Sequence, residues 1–350
     1  MAGEAQRFFS AEETRREIGR DRWGRPLIRT PEGKITAYTR TSTLGKALDD
    51  ETGLTKWKQR MTAIGIASRS DLVLAVNAHR NSNDKMNDLV EQGMEAAQSG
   101  AAATTGTALH DLCDQYDRGQ TPYVPAEFDP DVQAYLRVTA LLEVVVAEQF
   151  AVCDVLKVGG TPDRVYRLLV PLIRAGVVLV PAGALVIGDI KTGKSLDFGH
   201  ISYGTQLAVY SRSQRYDISA GELMPWGRRG EMITVGERSD WVPGEQVNQD
   251  WAVIVHVPAG GGEATLHPVD IATGWELAEL AVSVREWRKR KDIIGAPTEL
   301  VEDFTVTCEN AASIEELRAA YSRAAAAGAW NDVLKQRFGR RKAEIQQVAK

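Results

Sequence analysis

The chain carries an apolar run that ends in opposite charges. Ala184-Leu185-Val186-Ile187 passes through Gly188 into Asp189-Ile190-Lys191. Such a run reads as a buried strand, and in a strand residues two apart share a face. Asp189 and Lys191 therefore point one way, and Ile190 points into the core. Thr161-Pro162-Asp163 is a second such place, downstream of Val144-Val145-Val146 and Phe150-Ala151-Val152. Two carboxylates and an ammonium at the ends of buried strands are costly to desolvate unless something binds them. A divalent cation meets that need, because hard oxygen ligands suit Mg2+ or Mn2+.

Bulk properties narrow the class. The chain has 350 residues, 43% hydrophobic and 25% charged, an ordinary globular composition. No apolar run reaches the ~18 residues of a membrane helix, and the polar segment from Met1 to Arg20 is not a secretory signal. Cys113, Cys153 and Cys308 show neither disulfide-framework nor metal spacing, which fits a reducing cytoplasm. The net charge of −5 gives no global attraction to nucleic acid. A local basic groove remains compatible, since phosphate contacts act within about 10 Å.

Residues 1–35 read as a short helix from Ser10 followed by an irregular arm. Arg15, Arg16, Arg20, Arg22, Arg25 and Arg29 make it basic, either to contact DNA or as a solvated surface. Residues 42–99 show helical spacing, as in Leu54, Trp57, Met61 and Ile64. Residues 99–106 read as a small-residue loop, and 107–117 as a helix. Asp129-Pro130 predicts a helix start, with a cap and a proline in the first turn, running to about Glu143. Strands are expected over 144–152, 160–169 and 184–190, a helix over 204–216, and a hairpin around Gly260-Gly261-Gly262. A helix over 274–291 ends in the basic run 285–291, which could track a DNA backbone but reads first as a solvated helix end. Ser313-Ile314-Glu315-Glu316 forms a capping box for a helix that Gly328 ends, and a last helix covers about 331–348.

Four segments carry candidate chemistry. Gly106-Thr107-Ala108-Leu109-His110 lets a helix begin close to other backbone and projects an imidazole, although a lone histidine is more often structural. Gly159-Gly160-Thr161-Pro162-Asp163 ends in a carboxylate that alone would be a turn aspartate. Asp189-Ile190-Lys191 alone would be a surface ion pair of little worth. Gln206 and Tyr210 lie four apart on one helix face, and alone would be incidental hydrogen-bonding groups.

In this order (GxxxH, G-x-PD, D-x-K, QxxxY) the segments resemble the PD-(D/E)xK nuclease superfamily. Within it the chain is most similar to RecB-like exonucleases of bacteriophage and CRISPR-associated type. The resemblance covers about residues 106–210, with weaker likeness at Tyr38-Thr39-Arg40-Thr41-Ser42-Thr43 and around 311–330. The cysteine cluster of some relatives is missing, so no iron–sulfur cluster is carried over. The resemblance implies an α/β fold with a restriction-endonuclease-like core, a central mixed sheet flanked by helices. Residues 106–297 would form that core, 1–105 an N-terminal arm and helical region, and 298–350 a helical tail. His110, Asp163, Asp189 and the Ile190 carbonyl would ligate Mg2+ or Mn2+. Glu148 is a further acidic candidate and Glu143 its rival, and a plain surface carboxylate is as good a reading of either. Lys191 would orient or deprotonate water, its proton affinity lowered by the cation. Gln206 and Tyr210 would position the cleaved strand. The implied activity is exonucleolytic hydrolysis at DNA ends for recombination or repair, on double- or single-stranded DNA, in the cytoplasm (of a host cell, if phage-encoded). Alternatives are a structure-specific endonuclease, a non-catalytic DNA-binding scaffold, and a module whose C-terminal helices recruit a strand-annealing recombination protein. Phage likeness also raises a ring-forming trimer, which nothing in the chain itself indicates.

Overall fold

The computed structural model describes residues 8–9, 18–97, 100–227, 230–295 and 300–348, and the first of these pair as short strands. They are β1 (Phe8–Phe9), β2 (Leu27–Arg29), β3 (Ile35–Ala37) and β4 (Thr39–Arg40). β2 and β3 form an antiparallel hairpin where an irregular arm was expected. Arg25 pairs with Asp21 at 2.7 Å and Arg29 pairs with Glu222, so carboxylates offset part of this basic charge. Ser10, Arg15 and Arg16 lie outside the described residues.

Helices α1 (Thr41–Gly45), α2 (Thr52–Ala67), α3 (Ser70–His79) and α4 (Asn83–Ala96) follow the periodic pattern of 42–99. α5 (Ala101–Asp117) begins at Ala101 rather than Thr107. The small-residue stretch is its first turns and not a loop, since alanine is the strongest helix former. α6 (Asp129–Thr139) starts as expected, but Phe128 holds the cap position and Asp129 lies in the first turn.

The stretch 144–152 is two strands, β5 (Leu142–Ala147) and β6 (Ala151–Cys153). Glu148 breaks it with a left-handed φ of 46°. Residues 160–169 divide too: β7 (Val158–Gly160) ends at the glycine, and β8 (Arg164–Leu168) begins just after Asp163. The hairpin of β9 (Leu172–Arg174) and β10 (Val177–Val180) leads to β11 (Leu185–Lys191). α7 (His200–Ser211) corrects the helix expected over 204–216. Gln214 already belongs to β12 (Gln214–Trp226), which pairs with β13 (Glu231–Ser239). β14 (Trp251–His256) and β15 (Thr265–Asp270) form the expected hairpin, and α8 (Ile271–Lys289) follows. α9 (Leu300–Asn310), α10 (Ile314–Ala326) and α11 (Asp332–Val348) complete the described chain.

The result is mixed α/β. The larger sheet has the order β1-β5-β8-β11-β14-β15, and a second has the order β13-β12-β6-β7-β4. β8 runs antiparallel to both of its neighbours, β5 and β11, whereas β11 and β14 are parallel. A parallel pair needs a crossover, and the connection from β11 to β14 contains α7 and the β12–β13 hairpin. β11 is covered on both faces. Val186 and Ile190 pack with Leu109 and Cys113 of α5 and Tyr135 of α6. Leu185 and Ile187 pack with Leu207, Ala208 and Tyr210 of α7. The alternation of burial along β11 therefore sends Asp189 and Lys191 to the α7 face.

The chain divides into two compact units, Met1–Trp287 and Arg288–Lys350. Within the second, Cys308, Leu317, Ala320 and Leu334 form the core, edged by Tyr321, Trp330 and Phe338. The Ser313 half of the capping box forms: Glu316 N–H donates to Ser313 Oγ at 3.1 Å, while the Glu316 carboxylate accepts from Ala312 N–H, one residue before the cap, at 2.7 Å. All three cysteines are buried and free. Among the described residues no helix is long and apolar enough to cross a membrane.

Gly188 lets the sheet close around Tyr166. A Cβ there would stand 2.1 Å from the Tyr166 ring, which is fully buried and has no room to move. Gly188→Ala is expected to lower the unfolding free energy by about 3 kcal/mol. Urea denaturation measures it, and an unchanged midpoint would mean that Tyr166 packs elsewhere.

Candidate active site

The end of β11 gathers charges from separate parts of the chain. Asp189 and Lys191 project together, their side chains forming an ion pair. The Lys191 ammonium also lies 4.9 Å from the centre of the Tyr203 ring on α7. Asp163 stands just before β8, next to β11 in the sheet. Its Oδ2 accepts the Ile190 N–H at 2.8 Å and lies 3.1 Å from His110 Nε2 on α5. Gly106 brings α5 within reach. A Cβ on it would meet Thr192 Oγ1, just beyond β11, at 2.6 Å. His110, Asp163, Ile190, Asp189 and Lys191 are thus linked at one sheet end.

The electrostatics are those of a site with too much negative charge. Burial alone would raise Asp163, but the hydrogen bond to His110 and the charges of His110 and Lys191 outweigh it and hold the carboxyl at about 2. The bond to Asp163 in turn raises His110 above the usual histidine range against its burial. Burial, and then the negative charge of Asp163, push Asp189 up to about 7 despite the attraction of Lys191. Lys191 is raised, because Asp189 and Asp163 outweigh its burial. That is opposite to the lowered proton affinity expected beside a cation. The carboxylates hold the proton on the amine as the site stands.

Among the described residues, no group of three or more His, Cys, Asp or Glu side chains is arranged to hold a metal ion. Asp163 faces His110, and Asp189 faces Lys191. The donor chemistry nevertheless fits a divalent cation. Asp189 Oδ2 is buried, and its partner is the Lys191 ammonium, which a cation would have to displace. The Asp163 charge also disfavours ionising Asp189, and a cation would relieve that repulsion. Lys191 and His110 now do part of that work.

The remaining candidates are placed differently. Glu148 N–H donates to the Asp163 carbonyl at 3.0 Å, but its carboxylate pairs with Arg118 at 3.0 Å. Glu143 faces Arg167 across the sheet at 3.5 Å. It lies four residues back along β5, about 13 Å from its end. Ile190 takes part through its N–H, while its side chain is core. Gln206 and Tyr210 pack α7 against neighbouring backbone. A Cβ on Gly45 would be 3.0 Å from the Gln206 side chain, and one on Gly160 would be 2.8 Å from the Tyr210 hydroxyl. Burial raises the Tyr210 phenol, with the charges of Asp189 and Asp163 adding to it.

A buried network beneath Asp163 was not anticipated. Arg164 is fully buried; its Nε lies 2.6 Å from Asp117, its Nη2 2.9 Å from Asp114, and its Nη1 donates to the Asp163 carbonyl at 2.6 Å. The Tyr135 hydroxyl donates to Asp117 at 2.6 Å, and Arg118 joins Asp114 at 2.7 Å to Glu148. The sequence held a signal: His110, Asp114 and Asp117 fall at i, i+4 and i+7, one stripe of a helix. A scan against protein-family models and a comparison with curated proteins each return no match to the chain.

Breaking a buried ion-pair network from one side is far more costly than replacing it whole. Arg164→Leu leaves Asp114 and Asp117 without their buried cation and is expected to cost about 3–5 kcal/mol in chemical denaturation. A loss below about 1 kcal/mol would show that solvent satisfies the two carboxylates.

Proposed function

We infer that the protein is a divalent-metal-dependent deoxyribonuclease of PD-(D/E)xK type, with a RecB-like core, acting on DNA ends in recombination or repair. The observation that supports the reading is that two pairs, His110–Asp163 and Asp189–Lys191, from α5, the start of β8 and β11, lie at one end of the sheet. The antiparallel strands β5, β8 and β11, with a crossover to parallel β14, bring those segments to one end of the sheet. Asp163, Asp189 and His110 would hold Mg2+ or Mn2+, which when bound supplies an activated water and neutralises phosphate charge. Lys191, released from Asp189, offsets charge on the phosphate and exchanges a proton with water at its amine. Tyr203 keeps the lysine in place. Asp163 is anchored by Ile190 N–H and, through its carbonyl, by Arg164.

A time course on end-labelled linear duplex tests the reading. Cleavage is expected with Mg2+ or Mn2+ and not in excess chelator. Asp189→Ala and Lys191→Ala are expected to lower the rate by at least about 100-fold with folding retained. Closed circular DNA should resist if the enzyme needs ends. A second reading, a DNA-binding scaffold that keeps the fold without hydrolysis, is favoured by the mutual pairing of the four side chains. No cleavage under any metal condition would select it.

The cation should also compete with a proton. Metal ligands bind deprotonated, and Asp189 is raised to about 7. Without metal, the neutral carboxyl contributes stability below about pH 4 that is lost as the pH rises through about 7. Mn2+ affinity by titration calorimetry is therefore expected to rise by at least about tenfold per pH unit from pH 5 to 7, since His110, raised as well, must also lose its proton. A flat profile would remove Asp189 from the ligand set.

A further inference from the structure

One cavity adjoins the acidic cluster without belonging to it. Its volume is about 360 Å³, within the range of small-ligand sites. α7 and the start of α8 roof it, and Ile254 and His267 form part of its floor. Tyr203, whose ring lies under the Lys191 ammonium, is also one of its walls. The sheet register fixes its distance from the site. Asp189 opposes Ile254, and Ile254 opposes His267. Directly opposed residues share a face, so His267 and Asp189 stand on the α7 face two strand spacings apart, about 10 Å.

The lining says what the cavity can take. Tyr203, Ile254, Val269 and Leu277 make it apolar, while His200, His267 and Thr273 add polar groups, Thr273 Oγ1 donating to Asp270 and His267 Nε2 lying 2.8 Å from Thr265 Oγ1. None of the described lining residues is Lys or Arg, and Asp270 adds a negative charge. A phosphate is therefore disfavoured. An uncharged, planar group with polar edges is favoured. Burial and the neighbouring His256 lower His267 below the usual histidine range, which leaves its imidazole neutral. We propose that this cavity receives a nucleobase, that of a nucleotide next to the bond being cut, stacked beside Tyr203 while its phosphate stays at the acidic cluster. This rests on the nuclease reading for its choice of strand. The same base chemistry could be presented by a free deoxynucleoside monophosphate, the product of end digestion.

The test uses the full chain with Ca2+ in place of Mg2+ or Mn2+, so that the strand's phosphate meets a cation at the acidic cluster while cutting is held off. Single 2-aminopurine bases are placed in turn at each of the last few positions of a strand. Unstacking into the cavity is expected to change emission at one position and not at its neighbours. Leu277→Trp, which fills the cavity, should abolish that signal and weaken binding by about tenfold, within the range for one stacked base. An abasic site at that position should weaken binding equally and make it insensitive to Leu277→Trp. Ile201→Trp fills the same space from α7 and serves if the first variant does not fold. A fluorescent free deoxynucleoside monophosphate, displaced by the filling variants, would support the base pocket and assign it to the product. Strand binding with no position-specific signal, and no binding of the free nucleotide, overturns the proposal while leaving the nuclease reading intact. A position-specific signal in a protein that never cleaves with Mg2+ or Mn2+ overturns the hydrolytic reading and leaves the pocket standing.

Discussion

Three parts of the chain meet on the carboxylate of Asp163. α5 supplies His110 Nε2, β11 supplies the Ile190 N–H, and the carboxylate itself hangs from the first residue before β8. A buried carboxylate is tolerable only when such partners stabilise its charge. The surrounding design serves that need. Gly106 lets α5 approach Thr192, and Arg164 holds the Asp163 carbonyl from below. Arg164 is neutralised in turn by Asp114 and Asp117, one and two turns beyond His110 on the same helix. One helix thus carries both the group that meets Asp163 and the groups that stabilise its support.

The consequence appears in Asp189. With Asp163 kept ionised, a second buried carboxylate nearby is pushed towards its neutral form, and Lys191 compensates only in part. Strongly perturbed groups at the end of a sheet are a common mark of function. Here the perturbation has a direction, because the cluster is short of positive charge. The same imbalance keeps Lys191 protonated.

The turn between β14 and β15 shows a similar economy of parts. Asp131, buried in the first turn of α6, accepts the N–H groups of Gly260 and Gly262 at 2.7 Å each. The Ala259 N–H donates to the Thr192 carbonyl at 3.1 Å. The loop beside the end of β11 is therefore held from both sides.

Much of this was legible from residues alone. The apolar run into Asp189-Ile190-Lys191 predicted β11, its shared face and the inward Ile190, because strand periodicity is local. The capping box at Ser313 and the glycine turn of β14–β15 were legible for the same reason. The start of α5 was missed because small residues were read as a turn, although alanine favours helix. β12 and β13 were missed because they are partly exposed and carry scattered charge, which leaves no clean alternation. The split of 144–152 into strands of two different sheets turns on one residue, Glu148, in a left-handed conformation that no spacing announces. What the sequence determined by itself was the chemistry available: which carboxylates, which imidazole and which amine lie at the ends of apolar segments. Only the tertiary structure decided that Asp163 faces His110, that Asp189 faces Lys191, and that Arg164 finds Asp114 and Asp117 some fifty residues away. Pairings of that kind depend on desolvation and distance, which arise only when separate segments pack together.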